Sequence, residues 1–353
     1  MQDFSHELRS WVDAQWPHLK LNDFILRPDF HLPEDQAPEW QALHGDAGFR
    51  TYYRLASEPS LLAVYAPPES EDCEAFVKIA QFLRRHGVLA PAIAAFDAVR
   101  GFLLIEDLGP TLMLSELRKD SVDGLYAEAL SALLQIQLSP AADLQLPQYD
   151  QTRLRSEMAL LHEWFIPQLL GYSLSSDEMS VLEQLYRWLE ESALQQPQVF
   201  VHRDFHSRNL ICRENGPPGV IDFQDAVIGP VTYDLVSLLR DCYVQWTPEQ
   251  VRRWALSYAN IAVQAGVLPD VSEKQFMSWF DCMGLQRHIK VLGIFARLSL
   301  RDNKHGYLED LPLVIDYTLT VARAYPQGQE FVNWFESKLM PLVHQQSWFG
   351  DSQ

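Results

Sequence analysis

A polar segment between two short apolar runs constrains the fold of this chain more than any other feature. The segment reads His202-Arg203-Asp204-Phe205-His206-Ser207-Arg208-Asn209. The apolar runs at residues 199–201 and 210–212 predict short buried strands on either side of it. Such strands would hold the polar segment between them as a rigid loop.

The residue types in this loop suit phosphoryl transfer from ATP. Asp204 would accept the proton of an attacking hydroxyl, and Asn209, five residues on, would bring an amide oxygen into the same small volume. Asp222, predicted on the short apolar strand 220–223, would hold Mg²⁺ against the phosphates together with Asn209. Positioning is the main contribution that an enzyme makes to this reaction, so the pattern predicts a kinase.

Two other interpretations of the loop stay open at this point. Asp204 and Asn209 are common turn residues, so an ordinary hairpin loop would contain them as well. His202, Asp204 and His206 alternate along the chain, as metal ligands on one face of a strand would. The sequence offers no further His, Asp or Cys cluster with ligand spacing to support the metal site.

Composition limits the classes of protein that remain. With 353 residues, of which 47% are hydrophobic, the chain can form two domains with cores of their own. The net charge of −19, from 28 basic and 47 acidic residues, argues against a nucleic-acid or anionic-membrane partner. We expect a monomer that binds small molecules.

The predicted location is the cytoplasm. The four cysteines show no C-x-x-C spacing and are typical of buried thiols in a reducing compartment. The first 20 residues carry several charged side chains and do not form a signal peptide, and no apolar run reaches transmembrane length.

The pattern along the chain predicts a strand-rich first third and a mainly helical remainder, and hence an α+β protein of two lobes. The N-lobe, residues 1–108, would bind the nucleotide, and the C-lobe, residues 109–353, would carry the catalytic loop and the acceptor pocket. The predicted elements before the hinge at residues 106–110 are a helix at 4–16, a loop at 27–41, a glycine-bearing turn at 45 leading into a strand that ends at 55, a strand at 61–65, a helix at 71–86 closed by Gly87, and a strand at 102–105.

Three segments resemble the aminoglycoside phosphotransferase family of small-molecule kinases, and the likeness spans nearly the whole chain. They are the loop 202–209, the segment IDFQDAVIGPVTYDLVSLL at 221–239 and the hinge LLIEDLG at 103–109. The resemblance implies a protein-kinase-like fold, with a small β-rich N-lobe containing a helix and a larger, mainly helical C-lobe.

Further segments resemble one branch of that family, the anomeric kinases for N-acetylmuramate and N-acetylglucosamine in bacterial cell-wall recycling. They are GDAGFRTYYRL at 45–55, YAPPE at 65–69 and GLQRHIKVLGIFARL at 284–298. The resemblance implies ATP as co-substrate, Mg²⁺ as cofactor and an amino sugar as acceptor in peptidoglycan recycling.

The resemblance also implies roles for individual residues. It makes Asp204 the catalytic base and makes Asn209 and Asp222 the magnesium ligands. It brings backbone groups of Glu106 and Leu108 to the adenine ring.

One departure from the kinase pattern leaves the phosphate-binding cation open. Kinases of this fold place a lysine on the third strand, whereas residues 61–65 contain no lysine or arginine. Arg50, Arg54 or Lys78 would have to replace it. Gly48 would let the backbone approach a phosphate, or would only shape a hairpin turn. The missing lysine also keeps open a second class of function, an inactive nucleotide-binding scaffold.

The acceptor site is predicted on two helices. Arg287, His288 and Lys290 would face an acidic sugar, such as the lactyl carboxylate of N-acetylmuramate, or would pair with Glu157 and Asp241 instead. These cations argue against a polycationic aminoglycoside as the acceptor, although another sugar or polyol stays possible.

Other candidates for the acceptor site lie elsewhere. Glu157, His162 and Trp164 share the predicted helix 153–165, and Trp164 would stack on a pyranose face. His206 and Asp225 complete the set, although Asp225 would alternatively bind a second Mg²⁺ and is equally typical of a solvated turn. Asp234 is predicted to cap a helix at 235–243 and to accept N–H groups of the loop.

Overall fold

The computed structural model describes residues 4–16, 19, 39–43, 48–57, 60–213 and 216–350. They form two compact units, Met1–Leu144 with Arg208–Asp225, and Gln145–Ser207 with Ala226–Gln353. The sequence-based division at residue 108 treated the lobes as continuous stretches, whereas these units are discontinuous. The predicted catalytic residues are therefore divided between them, with Asp204 in the second unit and Asn209 and Asp222 in the first.

The first unit is built on a five-stranded antiparallel sheet in the order β1-β2-β3-β5-β4. Its strands are β1 Trp40–Leu43, β2 Thr51–Leu55, β3 Leu61–Tyr65, β4 Ile93–Asp97 and β5 Phe102–Glu106. The predicted strands at 61–65 and 102–105 and the pairing of β2 with β3 are confirmed.

One prediction about this sheet needs correction, and one strand was missed. Residues 27–38 of the predicted loop, and the glycine turn at 45, lie outside the described residues. Trp40 and Gln41 are not loop but the start of β1, because Trp40 pairs with Leu55 and packs its ring against Tyr53 at 5.4 Å. Strand β4 was not predicted; its two alanines give it little β propensity.

The described residues of this unit also form the helices α1 Phe4–Gln15, α2 Cys73–Arg85, α3 Met113–Glu116 and α4 Val122–Leu138. Helix α1 is confirmed and buries Leu8, Trp11 and Val12 in the core formed with the sheet. Helix α2 begins after Asp72, whose side chain accepts the Ala75 N–H at 2.9 Å. It ends before Gly87, which as predicted has the positive φ, +82°, that glycine adopts most readily.

The second unit is mainly helical. Its helices are α5 Gln151–Leu160, α6 Ser176–Leu194, α7 Tyr233–Leu239, α8 Pro248–Gln264, α9 Glu273–Asp302, α10 Leu311–Arg323, α11 Gln329–Trp334 and α12 Met340–Val343. Helix α5 continues into π-helical turns at Leu161–Leu169. Among the described residues, no helix is both long and apolar enough to cross a membrane.

Helix α9 is the centre of this unit and is buried along most of its length. At Gly293 a Cβ atom would lie 2.3 Å from the carbonyl carbon of Leu160, so only glycine permits the close approach of α9 to the end of α5. This approach brings the polar residues of α9 beside those of α5 inside the core.

Four short strands flank the catalytic segment: β6 Gln198–Val201, β7 Leu210–Ile211, β8 Gly219–Val220 and β9 Val227–Pro230. The predicted flanking strands are thus present, but in different sheets. Strand β6 pairs with β9 in the second unit, and β7 pairs with β8 in the first. Hydrogen bonds from Cys212 N to Thr111 O and from Val220 N to Leu89 O attach β7 and β8 to the first unit.

Candidate active site

The backbone of the catalytic loop is held by two buried aspartates of the second unit. Arg203 has φ +78°, an uncommon conformation for a residue with a side chain. Asp234 accepts the N–H groups of His202 and Arg203 at 2.7 and 2.9 Å. Asp241 accepts the N–H and hydroxyl of Ser207 at 3.0 and 2.5 Å. The loop is therefore fixed on both sides of Asp204.

The predicted contact of Asp234 with the loop is confirmed, but its predicted role as helix cap is wrong. Helix α7 begins at Tyr233 with Thr232 in the cap position, so Asp234 lies inside the first turn. Its carboxylate is directed to the loop amides instead. Burial raises the pKa of Asp234 to about 7, although the two N–H bonds favour its charged form.

Asp204 lies in a positively charged environment. Its burial alone would raise the pKa of its carboxyl, but Lys290, His206, Arg287 and Arg203 together outweigh that effect and lower the pKa below its usual value. The carboxylate is therefore ionised at neutral pH, as a proton acceptor must be.

The cations on α9 have specific partners inside the unit. Lys290 Nζ lies 3.2 Å from Glu157 Oε2 and donates to the Tyr233 hydroxyl at 3.0 Å. Arg287 donates to the Arg203 carbonyl oxygen at 3.3 Å, which adds a further restraint on the loop. The pairing of Lys290 with Glu157 is one of the two alternatives that the sequence left open.

His288 is fully buried on α9. Its Nε2 lies 3.1 Å from the carbonyl oxygen of Arg240, and its ring stacks on Tyr317. Burial lowers the pKa of His288 to about 3, so the ring is neutral.

Glu157 is the anionic centre of this buried cluster. It pairs with both Arg203 and Lys290, and it accepts a hydrogen bond from the Tyr149 hydroxyl. Burial would raise its pKa, but the two cations and the hydroxyl lower it below the usual value.

We expect Glu157→Gln to lower the free energy of unfolding by about 3–5 kcal/mol, because it leaves two buried cations without their counter-ion. Urea denaturation measures the loss. The control is Glu273→Gln, since Glu273 pairs with Arg252 where both side chains are about half exposed; that change should cost less than about 1 kcal/mol. Equal losses in the two variants would show that the buried pair is not structural.

The first unit carries the two predicted metal ligands. Asn209 Nδ2 donates to Asp222 Oδ2 at 3.2 Å, and Gln224 Nε2 donates to Asp222 Oδ1 at 2.9 Å. Asp222 is exposed and has φ +65°. Its predicted position on a strand is wrong, because β8 ends at Val220 and the chain then turns to present the carboxylate.

This pair of residues fits Mg²⁺. An exposed carboxylate adjacent to a side-chain amide supplies the hard oxygen donors that Mg²⁺ prefers. Among the described residues no group of three His, Cys, Asp or Glu side chains could hold a metal ion. This finding counts against the metal site at His202, Asp204 and His206. Mg²⁺ itself is typically bound by only one or two protein carboxylates beside phosphates and water.

The three candidates for the phosphate-binding cation differ in their contacts. Arg54 pairs with Asp107, its Nε 2.5 Å from Oδ2. Lys78 Nζ donates to the Leu144 carbonyl at 3.2 Å. Arg50, just before β2, lies 2.8 Å from Glu71 and donates to Gln224 at 2.8 Å.

Neither packing nor backbone conformation requires a glycine at position 48. A Cβ atom there would lie 3.6 Å from Glu71 Oε1, which is ordinary contact, and its φ is not positive. Close approach of the backbone to a phosphate therefore stays a prediction for this position.

The predicted adenine-binding hinge follows β5. The Glu106 N–H donates to the Ala92 carbonyl at 2.8 Å, and the Glu106 side chain pairs with Arg84 at 2.9 Å. Leu108 is buried, and its side chain packs closely against Gly219. These contacts fix the hinge backbone, while its contact with adenine stays a prediction.

The remaining acceptor candidates are dispersed through the structure. Trp164 packs against the core of the second unit, and His162 Nδ1 lies 3.2 Å from the Tyr186 hydroxyl. His206 meets the edge of Tyr243 beside the loop, and its Nδ1 has no hydrogen-bond partner in the described part of the chain. Asp225 is exposed, in the first unit.

Two residues with contacts at these sites were missed by sequence reasoning, Glu71 and Gln224, and Asp241 was named only as a partner for the α9 cations, although it accepts from Ser207. Glu71 precedes α2 by two residues and Gln224 follows Asp222 by two, so their positions were visible. Their contacts were not, because a single sequence does not show which distant residues meet.

The chain is similar to known kinases over most of its length. Residues 39–266 match the model of the phosphotransferase enzyme family. The chain is 40% identical over 325 residues to an N-acetylmuramate/N-acetylglucosamine kinase of Pseudomonas putida. The matched region covers 92% of this chain and 93% of that protein. A kinase of the same name from Caulobacter vibrioides is 30% identical over 338 residues, covering 84% and 91%.

Solved structures show the same fold at low sequence identity. An ADP-bound aminoglycoside phosphotransferase matches with a TM-score of 0.55 and 16% identity, over 88% of this chain and 99% of that one. An ethanolamine kinase of Plasmodium vivax matches with a TM-score of 0.58 and 14% identity, over 88% of each chain. The predicted α+β, protein-kinase-like fold is confirmed.

Proposed function

Because the chain belongs to the phosphotransferase enzyme family, we propose that it transfers the γ-phosphoryl group of ATP to an N-acetylated amino sugar. The acceptor would be the anomeric hydroxyl of N-acetylmuramate or N-acetylglucosamine, in peptidoglycan recycling. The observation that carries this proposal is 40% identity to a kinase named for these two sugars, over 92% of the chain. Asp204, Asn209 and Asp222, the residue types that this chemistry needs, are all present in the sequence.

Asp204 is the proposed catalytic base. It would orient the acceptor hydroxyl toward the γ-phosphate and accept its proton late in the reaction. The demand on the base is mild, because an anomeric hydroxyl is more acidic than an ordinary alcohol. The restraints on Arg203 and Ser207 would keep Asp204 in place while the acceptor binds.

The nucleotide is assigned to residues of the first unit. Backbone groups of Glu106 and Leu108 would contact adenine, and Gly48 and Arg50 would contact the phosphates. Asn209 and Asp222 would hold Mg²⁺, which when bound neutralises charge on the transferring phosphoryl group.

For the acceptor we propose Arg287 as the residue that recognises a carboxylate. It lies in the positive environment of Asp204, and its Nε has no hydrogen-bond partner among the described residues. Lys290 has a counter-ion in Glu157, and His288 is buried and neutral, so neither is included in this site. Trp164, His206 and Asp225 stay predictions for contacts with the sugar.

We expect Arg287→Gln to reduce kcat/KM for N-acetylmuramate more than for N-acetylglucosamine, which lacks the lactyl carboxylate. A charge-assisted hydrogen bond of this kind changes the ratio by about tenfold to a hundredfold. The matched control is Lys290→Met on the same helix, which should reduce kcat/KM for both sugars in proportion. An unaltered ratio in Arg287→Gln would remove Arg287 from the carboxylate site.

One assay separates this proposal from its alternatives. ADP release is measured with Mg·ATP and, separately, N-acetylmuramate, N-acetylglucosamine, glucose and kanamycin. Preference for the two N-acetylated sugars supports the proposal, and preference for kanamycin would support an aminoglycoside kinase. Binding of ATP without ADP release on any acceptor would support an inactive scaffold. Action in the cytoplasm as a monomer belongs to the same proposal.

A further inference from the structure

The first unit contains a buried arginine, Arg50, just before β2. Strand β3, Leu61–Tyr65, carries no basic residue. Arg54 and Lys78 are engaged by Asp107 and by the Leu144 carbonyl. The Arg50 side chain is only 7% exposed, although it carries a full charge. Burying an arginine that has no partner costs free energy of folding, so the groups around Arg50 indicate its role.

The guanidinium of Arg50 is held in one orientation by its neighbours. It lies over the Phe76 ring at 5.0 Å, and Phe76 stacks in turn on Phe223 at 4.9 Å. Glu71 Oε2 lies 2.8 Å from Arg50 Nη2. Yet Nη2 makes no hydrogen bond of good geometry with any described residue. Nη2 is therefore held by the charge of Glu71 rather than by an aligned hydrogen bond, and the Tyr52 side chain is a further hydrogen-bonding neighbour of the guanidinium.

A chain of hydrogen bonds links the same guanidinium to the proposed metal ligands. Arg50 Nη1 donates to Gln224 Oε1 at 2.8 Å, and Gln224 Nε2 donates to Asp222 Oδ1 at 2.9 Å. Asn209 donates to the other oxygen of Asp222 at 3.2 Å. An anion that meets both Arg50 and a cation at Asp222 would have the charge distribution of a diphosphate or triphosphate.

We propose that Arg50 is the phosphate-binding cation that β3 lacks, and that Glu71 and Gln224 are its positioning residues. Glu71 holds the guanidinium, and Gln224 couples it to Asp222. The proposal deepens the proposed function and rests on the part of it that assigns the nucleotide to the first unit. An arginine is required because one side chain has to serve Glu71, Gln224 and the ligand at once, and a lysine lacks this planar set of donors.

The test is calorimetry of the full chain with Mg·ADP and with adenosine, which has no phosphate. We expect Arg50→Gln and Arg50→Lys to bind Mg·ADP about tenfold to a hundredfold more weakly and adenosine with unchanged affinity. Glu71→Gln should show the same selective loss, about threefold to tenfold. Gln224→Ala should raise the Mg²⁺ concentration at which ADP binding is half-maximal. Arg54→Gln is the matched control and should not show the selective loss.

Thermal unfolding of each variant distinguishes the loss of a positioning contact from a general loss of protein stability. Equal loss of ADP and adenosine binding in Arg50→Gln would overturn the proposal, since Arg50 would then be structural. Unchanged ADP binding in Glu71→Gln, or an unchanged Mg²⁺ requirement in Gln224→Ala, would overturn the role of that residue. These binding measurements need no sugar. If Arg50→Gln selectively loses affinity for Mg·ADP while the wild-type protein phosphorylates no sugar, the sugar assignment fails and this inference stands.

Discussion

Replacing Asp204 by asparagine is expected to lower kcat by about 10²–10⁴ on the best acceptor, the range typical for loss of a general base. Asparagine preserves the shape of the side chain but cannot accept the proton of the sugar hydroxyl. The Mg·ATP affinity should change little, because the nucleotide is assigned to residues of the first unit. Steady-state kinetics and calorimetry on the same preparation measure the two quantities.

The pKa of Asp204 adds a second expectation to the same experiment. The surrounding cations keep this carboxyl ionised at pH values below its usual pKa. Activity should therefore not decline on account of Asp204 until the pH falls below about 4, the usual pKa of an aspartate.

Wild-type turnover by Asp204→Asn on the sugars would exclude Asp204 as the base.

Replacing Asp222 by alanine is expected to abolish measurable turnover, because it removes the carboxylate proposed to hold Mg²⁺. Asn209→Ala should also reduce turnover strongly, yet added Mg²⁺ should restore it better than in Asp222→Ala. In Asn209→Ala the proposed carboxylate ligand, Asp222, is still present, so this variant should lose only affinity for Mg²⁺. Titration of activity with Mg²⁺ in both variants measures the difference, and unaltered Mg·ATP binding in Asp222→Ala would contradict its role as a ligand.

The strands and loop were predictable where the local pattern agrees with the tertiary structure. Strand β3 has the predicted bounds because a run of apolar residues in a buried strand needs no distant partner to identify it. The catalytic loop was identified by the spacing of Asp204 and Asn209. Asp234 was predicted to accept N–H groups of the loop from its position after the turn at Pro230, and the hydrogen bonds from His202 and Arg203 confirm that contact.

The parts that sequence reasoning missed depend on contacts between distant residues. Trp40 forms a strand because Tyr53 and Leu55 are beside it. The turn at Asp222 is a positive-φ conformation that the residue type alone does not predict. The proposal of Arg50 over Arg54 and Lys78 could not be made from sequence alone, because it rests on which groups each side chain contacts.

The cations of α9 show the same limit. Sequence alone could not decide whether Lys290 would face a ligand or a counter-ion, and the buried Glu157 supplies the counter-ion. Burial, rather than residue type, sets the charge of His288 on the same helix.

The position of the transferred phosphate tests the central claim most directly. N-acetylmuramate labelled with carbon-13 at its anomeric carbon is incubated with Mg·ATP and the protein, and the product is examined by carbon and phosphorus NMR. We expect a carbon–phosphorus coupling at the labelled carbon, formed with stoichiometric ADP and about 10²–10⁴ times more slowly with Asp204→Asn. Phosphate on another carbon, or ADP formation without any sugar phosphate, would contradict the assignment of this protein as an anomeric amino-sugar kinase.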